Sequence, residues 1–144
     1  MGEEMKNKNI LIVDDDKFLL DMYSIKFGEH GFTVTSCLGS VEALEKIKEG
    51  LHPDVMLLDV IMPTMDGFEF LEKVRKENLL PETVVIMLTN LGQEEDIERG
   101  KSLGAKGYIV KASATPTEVV KEVSTLAQSF GNMSKKIPVS AVGE

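Results

Sequence analysis

The sequence predicts an α/β fold, a doubly wound five-stranded parallel sheet with five helices. Three observations predict it. The apolar runs NILIV, VMLL and TVVIML are near-continuous in hydrophobicity, as strands buried on both faces require. Longer segments of helical periodicity alternate with them. Cap and turn residues stand at the joints.

Taken in order, Asn9–Val13 reads as a buried strand, followed by a helix from about Lys17 to His30 that Gly31 stops. Phe32–Cys37 is a second, weaker strand, and Ser40 is placed to N-cap a helix running to about Glu49. Val55–Leu58 is the third strand. Asp66 resembles an N-cap, and Glu69 three residues on completes a box-like pattern for a helix to about Asn78. Thr83–Leu88 is the fourth strand, Gln93–Leu103 the fourth helix with Gly104 after it, and Gly107–Val110 a short fifth strand. Pro116 suits the first turn of a last helix, to about Phe130. The chain thus divides into an N-terminal tail (1–8), a domain (9–130) and a polar C-terminal tail or linker (131–144).

Composition narrows the function classes. A chain of 144 residues is long enough to bury a core as one domain. The net charge of −8 argues against a direct grip on nucleic acid, which needs clustered Lys and Arg. No apolar run approaches the roughly 18 residues of a membrane span. The N-terminus has no signal-peptide core, so a cytoplasmic location without membrane contact is expected. The single cysteine, Cys37, falls in a strand and reads as a small core hydrophobe.

Chemistry concentrates where strands end. In open parallel sheets, sites form beyond the carboxyl ends of the strands at a topological switch point. Asp14, Asp15 and Asp16 follow the first strand, Asp59 the third, Thr89 the fourth and Lys111 the fifth. The second strand ends in Cys37-Leu38 and offers nothing, which suits an outer position. Like charges about 4 Å apart repel by roughly 4 kcal/mol at an effective dielectric near 20, so several carboxylates on one rim call for a cation. All-oxygen ligands select a hard ion such as Mg²⁺, which usually accepts one or two carboxylates and keeps waters. A rim with Mg²⁺, a lysine and a hydroxyl suits a phosphoryl group. Asp59 is then a candidate nucleophile that takes the group as an aspartyl phosphate.

Plainer readings stand beside these. An acidic cluster after a strand is often a solvated turn, Thr89 alone could be a β-former, and Tyr108 an ordinary strand aromatic. Asp16 and Asp66 read at least as well as helix caps. His30 and His52 lack ligand partners at useful spacing and read as surface residues, and Met56, Met62, Met65 and Met87 as packing. In the first helix Leu19, Met22, Tyr23 and Phe27 form one stripe. Phe18 and Ile25 lie at its edge, either widening a buried face or forming a partner surface.

These segments resemble the receiver domain of two-component response regulators over about residues 8–130. "ILIVDDD" resembles the family's acidic pair, which implies a Mg²⁺ role for Asp14 and Asp15, with Mn²⁺ as a substitute ion. "LLDVIMPTMDG" resembles the phosphoacceptor segment, which implies phosphorylation of Asp59 and metal ligation by Asp59 and the backbone carbonyl of Ile61. "VIMLTN" puts Thr89 at the switch hydroxyl, and "GYIVKA" puts Lys111 at the invariant lysine and Tyr108 at the switch aromatic. The resemblance implies a flavodoxin-like strand order, 2-1-3-4-5. It also implies a signalling switch that catalyses only its own phosphorylation and dephosphorylation, which the short tail leads us to expect as stand-alone, with a partner joined in a longer parent chain as the alternative. The phosphodonor is a sensor histidine kinase or a histidine phosphotransfer protein, met partly through the first helix. A downstream protein meets the face of helix four, strand five and helix five, here carrying Ile97, Lys101, Tyr108 and Val119, and a phosphorylation-dependent homodimer stays open.

Two residues depart from the family pattern. Ala112 stands where proline, often after a cis bond, usually follows the lysine, and Asn90 stands where Ala or Gly usually follows the hydroxyl. The apolar Ile61 and Leu91 flank the site, and we hypothesise that they slow autodephosphorylation by excluding water. Two other classes compete. A haloacid-dehalogenase-like phosphatase would use Asp14-Asp15-Asp16 as its Asp-x-Asp, but Lys17-Phe18 does not continue that motif and a cap domain is missing. A constitutive binding module that is never phosphorylated is the other.

Overall fold

A computed structural model describes the backbone of residues 8–140 and the side chains of residues 8–130. The expected N-terminal tail therefore lies outside the described residues except for Lys8, as does the end of the C-terminal tail. Five strands, β1 (Asn9–Asp14), β2 (Thr33–Leu38), β3 (Val55–Leu58), β4 (Val84–Thr89) and β5 (Gly107–Val110), alternate with five helices. The helices are α1 (Lys17–Glu29), α2 (Ser40–Lys48), α3 (Gly67–Lys76), α4 (Glu94–Ser102) and α5 (Pro116–Ser140), with a 3-10 turn at Lys111–Ser113. All strand pairs are parallel. The sheet order is β2-β1-β3-β4-β5, which puts the reversal of strand order between β1 and β3.

Alternation along each strand splits the core into two layers. Ile10, Ile12, Val55, Leu57, Ile86 and Leu88 face Tyr23 and Phe27 of α1 and Val119, Val120 and Val123 of α5. Leu11, Val13, Met56, Leu58, Val85 and Met87 face Ala43 and Ile47 of α2 and Phe68, Leu71 and Val74 of α3. Cys37 is fully buried in this second layer, as its strand position predicts, and Met56, Met62 and Met87 are buried too.

Local signals explain most boundaries. The side chain of Asp16 accepts from Leu19 N–H at 3.2 Å and caps α1. At the other end Gly31, at φ 97°, donates to Gly28 and Phe32 donates to Phe27, while the Phe27 and Phe32 rings meet edge to face at 5.2 Å. Asp66 and Glu69 exchange hydrogen bonds at 2.8 and 3.0 Å in the expected capping box. Thr115 and Glu118 do the same for α5 at 3.1 and 2.8 Å. Helix α4 buries only Gly100, and the Arg75 guanidinium of α3 holds its far end through Leu103 O (2.9 Å) and Gly104 O (3.4 Å).

Three expectations are corrected. Ser40 does not cap α2: it is the first helical residue, and its hydroxyl donates instead to Met65 O at 2.6 Å, tying α2 to the loop after β3. Helix α5 does not stop near Phe130 but continues to Ser140: Gly131 costs a helix only about 1 kcal/mol, and Pro138, the stronger breaker at about 3 kcal/mol, falls only in the last turn. Val119 is not on an exposed face; it is fully buried against the sheet. Of the two readings left open for Phe18 and Ile25, the wide buried face does not hold: they are 76% and 63% exposed, and Leu20 completes the buried stripe.

Candidate functional site

The polar residues that are buried gather at the carboxyl edge of the sheet. Asp14 closes β1, Asp59 follows β3, Thr89 closes β4 and Lys111 follows β5. Asp14, Asp59 and Thr89 are buried, whereas Asp15 is exposed. Asp59 N–H donates to Val13 O at 3.0 Å, carrying the β1–β3 pairing one step past the strand. The carboxylates are thereby fixed by the backbone at the switch point.

One ammonium ties the rim together. Lys111 Nζ stands 2.9 Å from Asp14 Oδ2 and 3.3 Å from Asp59 Oδ2. The other oxygen of each acid takes a backbone donor, Asp16 N–H to Asp14 Oδ1 at 2.9 Å and Val60 N–H to Asp59 Oδ1 at 2.8 Å. Carboxylate oxygens of Asp14, Asp15 and Asp59 all lie within 4.8 Å of one another. That donor set, hard and all oxygen, fits a small divalent cation such as Mg²⁺. Asp16 stands outside it as a helix cap. Ile61 lies two residues past Asp59 with its side chain 57% exposed, while Leu91 packs against the second core layer.

Burial and charge pull the titrations apart. Burial raises the Asp59 pKa and the neighbouring Asp14 adds to it, against the opposing pull of Lys111 and Val60 N–H. For Lys111 burial works downward, but the hydrogen bonds and charges of Asp14 and Asp59 prevail and hold its pKa above the ordinary value. The site therefore keeps a permanent cation beside a carboxylate that is costly to ionise.

The next ring of residues links the rim to α4. Thr89 Oγ1 accepts from Leu91 N–H at 3.4 Å, and Leu91 O accepts the Tyr108 hydroxyl at 2.6 Å. Burial and the charges of Asp96 and Asp59 push Tyr108 up to about 12, so it stays a donor. Its ring lies over Gly100, where an added β-carbon would sit 3.1 Å from Tyr108 Cδ2. Ala112 follows Lys111 inside the 3-10 turn, and no peptide bond among the described residues is cis. Its N–H donates to Asn90 Oδ1 at 2.9 Å.

Sequence reasoning missed three contributors: the Asn90–Ala112 bond, the Ser40 tether and the contact between Gly67 and Asp59. The glycine left a readable sign, as the residue after a cap downstream of a strand-end acid, whereas Asn90 and Ala112 stood out only as separate departures and not as partners.

The response regulator receiver domain family matches residues 10–124. The regulatory protein VanRc of Enterococcus gallinarum is 37% identical over 125 residues, which cover 86% of this chain and 52% of that protein. A CheY-like response regulator receiver domain protein from Methanospirillum hungatei superposes with a TM-score of 0.79 at 30% identity, covering 89% of this chain and 99% of its own. The chemotaxis protein CheY4 of Vibrio cholerae gives a TM-score of 0.76 at 32% identity, covering 83% and 98%. The chain belongs to the receiver domain family of two-component response regulators. This family is a signalling switch, not a conventional enzyme, and binds Mg²⁺ at an acidic pocket. The haloacid-dehalogenase alternative is thereby set aside. The chain spans about half the length, 52%, of the curated relatives it matches. No described helix is long and apolar enough to cross a membrane.

Proposed function

We propose that Asp59 accepts a phosphoryl group from a phosphohistidine, on a sensor histidine kinase or a histidine phosphotransfer protein, in a Mg²⁺-dependent reaction in the cytoplasm. The observation that carries this reading is Lys111 Nζ bridging Asp14 and Asp59 beside the exposed Asp15. In the transfer a carboxylate oxygen of Asp59 attacks phosphorus. An O–P bond forms as the P–N bond breaks, and the imidazole leaves with the electron pair and takes up a proton.

The chain's own residues position and neutralise. Burial strips water from Asp59, and the Val60 N–H holds Oδ1, leaving Oδ2 to face the donor. Lys111 can turn from Asp59 to a phosphoryl oxygen while still paired with Asp14. Asp14, Asp15, Asp59 and the Ile61 carbonyl would hold Mg²⁺, or Mn²⁺ in its place. Such an ion, when bound there, would neutralise charge developing on the phosphoryl oxygens.

Readout starts from Thr89, whose hydroxyl oxygen accepts a long 3.4 Å bond from Leu91 N–H and whose O–H can donate to the phosphoryl group. Leu91 and Tyr108 move with that loop through their 2.6 Å bond. The surface of α4, β5 and α5 then presents itself to a downstream protein or a second copy of this chain, to the extent that phosphorylation favours the altered state.

Intact mass after incubation with Mg²⁺ and acetyl phosphate tests the reading. One added phosphoryl group, absent without Mg²⁺ and absent in Asp59→Ala, supports it. An unmodified wild type that also fails to bind beryllium fluoride overturns it in favour of a constitutive binding module.

A further inference from the structure

The β4–β5 ladder ends at the pair Thr89–Val110. One residue beyond, the side-chain carbonyl of Asn90 accepts the Ala112 N–H at 2.9 Å. A side chain thus supplies a further cross-link after the backbone ladder has run out. Asn90 follows Thr89 and Ala112 follows Lys111, so this one bond joins the loop carrying the rim hydroxyl to the turn carrying the rim ammonium. The donor exists because residue 112 is not proline, which has no N–H. Asn90 and Ala112 therefore work as a pair: each is useful because of the other.

We propose that Asn90 is a positioning residue for Lys111, a role that rests on the phosphoacceptor reading above. Lys111 opens a turn of three residues whose closing backbone bond, Ala114 N–H to Lys111 O, is long at 3.4 Å. Its flexible side chain must nevertheless meet Asp14 and Asp59 at once, at 2.9 and 3.3 Å. A long lysine side chain loses much rotamer freedom in doing so, and every added freedom of its backbone enlarges that loss. The acceptor side is well anchored. Leu91 is held by the Tyr108 hydroxyl at 2.6 Å, and Gly92 lies close enough to Val110 that an added β-carbon would sit 3.1 Å from Cγ2. Asn90 therefore reaches out from a fixed loop to steady a loosely closed turn. Its amide oxygen is committed to the Ala112 N–H.

The test uses the unphosphorylated full chain first. Amide hydrogen exchange at Ala112 and the NMR resonance of the Lys111 ammonium are compared in wild type, Asn90→Ala and Asn90→Asp, the last keeping an acceptor oxygen. The expected result is exchange at Ala112 about fivefold faster in Asn90→Ala, the scale of one net hydrogen bond. A displaced Lys111 signal should accompany it, and Asn90→Asp should restore both. Phosphorylation by acetyl phosphate is then expected to slow by a similar factor in Asn90→Ala, with kcat rather than KM changed. Unchanged exchange and an unmoved Lys111 signal in Asn90→Ala overturn the proposal. Because the NMR arm needs no phosphoryl transfer, a wild type that takes no phosphoryl group would sink the functional reading while leaving this geometric result legible.

Discussion

Gly67 stands directly against the backbone of Asp59: a β-carbon added at Gly67 would collide with the Asp59 carbonyl oxygen and lie 2.8 Å from Val60 Cα. The first turn of α3 is thus seated on the strand-end acid, and Gly67 N–H donates to Val60 O at 2.7 Å. The obstructing atoms are backbone, which cannot swing aside. Gly67→Ala should cost about 1–3 kcal/mol through overpacking. Urea unfolding checks the stability, and phosphoryl uptake should fall with it. A variant as stable as wild type would contradict the steric account.

Asp59 should carry a stability cost that depends on pH. Its pKa is raised above the ordinary 3.8, first by burial and then by Asp14. The folded protein therefore keeps this proton to higher pH than the unfolded chain does. Below the unfolded value both states are protonated and no penalty exists. As pH rises through the folded value the penalty appears, and it persists at neutral pH. Asp59→Asn should raise the melting temperature at pH 7, with a gain that shrinks as pH falls towards 4. Added Mg²⁺ should raise the wild-type melting temperature more than that of the variant.

Thr64 is held at φ 72°, the centre of a three-residue γ-turn closed by Met65 N–H to Pro63 O at 2.8 Å, a conformation that a β-branched residue adopts at a cost. Its side chain is exposed, so little packing is at stake. Thr64→Gly should stabilise the fold by about 0.5–1 kcal/mol, since glycine enters this region without a steric cost. Thermal unfolding would show the gain; a loss would mean that the threonine side chain has a use the geometry does not reveal.

Cys37 should be chemically silent in the native state. It is fully buried, and burial together with the nearby Glu42 charge pushes its thiol up to about 11. At pH 8 only roughly one thousandth would be thiolate even if reagent could reach it. A thiol reagent should react only after denaturant unfolds the chain. Prompt reaction without denaturant would indicate frequent opening of the β2 edge.

Legibility in the sequence followed range of interaction. Strands β1, β3 and β4 were readable because burial on both faces writes a continuous apolar run. The caps at Asp16 and Asp66 were readable because donor and acceptor lie three residues apart. The strand-end rule likewise placed Asp14, Asp59, Thr89 and Lys111 on one rim, since each follows its strand directly. What escaped depends on partners distant in sequence. Ser40 has the residue type and place of a cap, yet Met65 O, reached only by folding, takes its hydroxyl. Asn90 and Ala112 each read as isolated departures, and nothing in either residue announces that one would accept the other's N–H. Val119 was misjudged because a helix buried along one stripe and exposed along the next differs by a single residue step.

Every one of the six residues of β4 is buried, with neighbours on both faces and a paired strand on both edges. Such a strand is a fixed rail: sliding it by one position would exchange the two core layers wholesale. A disturbance at Thr89 has no lengthwise route out. It must leave sideways, by way of the loop that Leu91 and Tyr108 share, and so the message of this sheet is carried by its rim while its interior stands still.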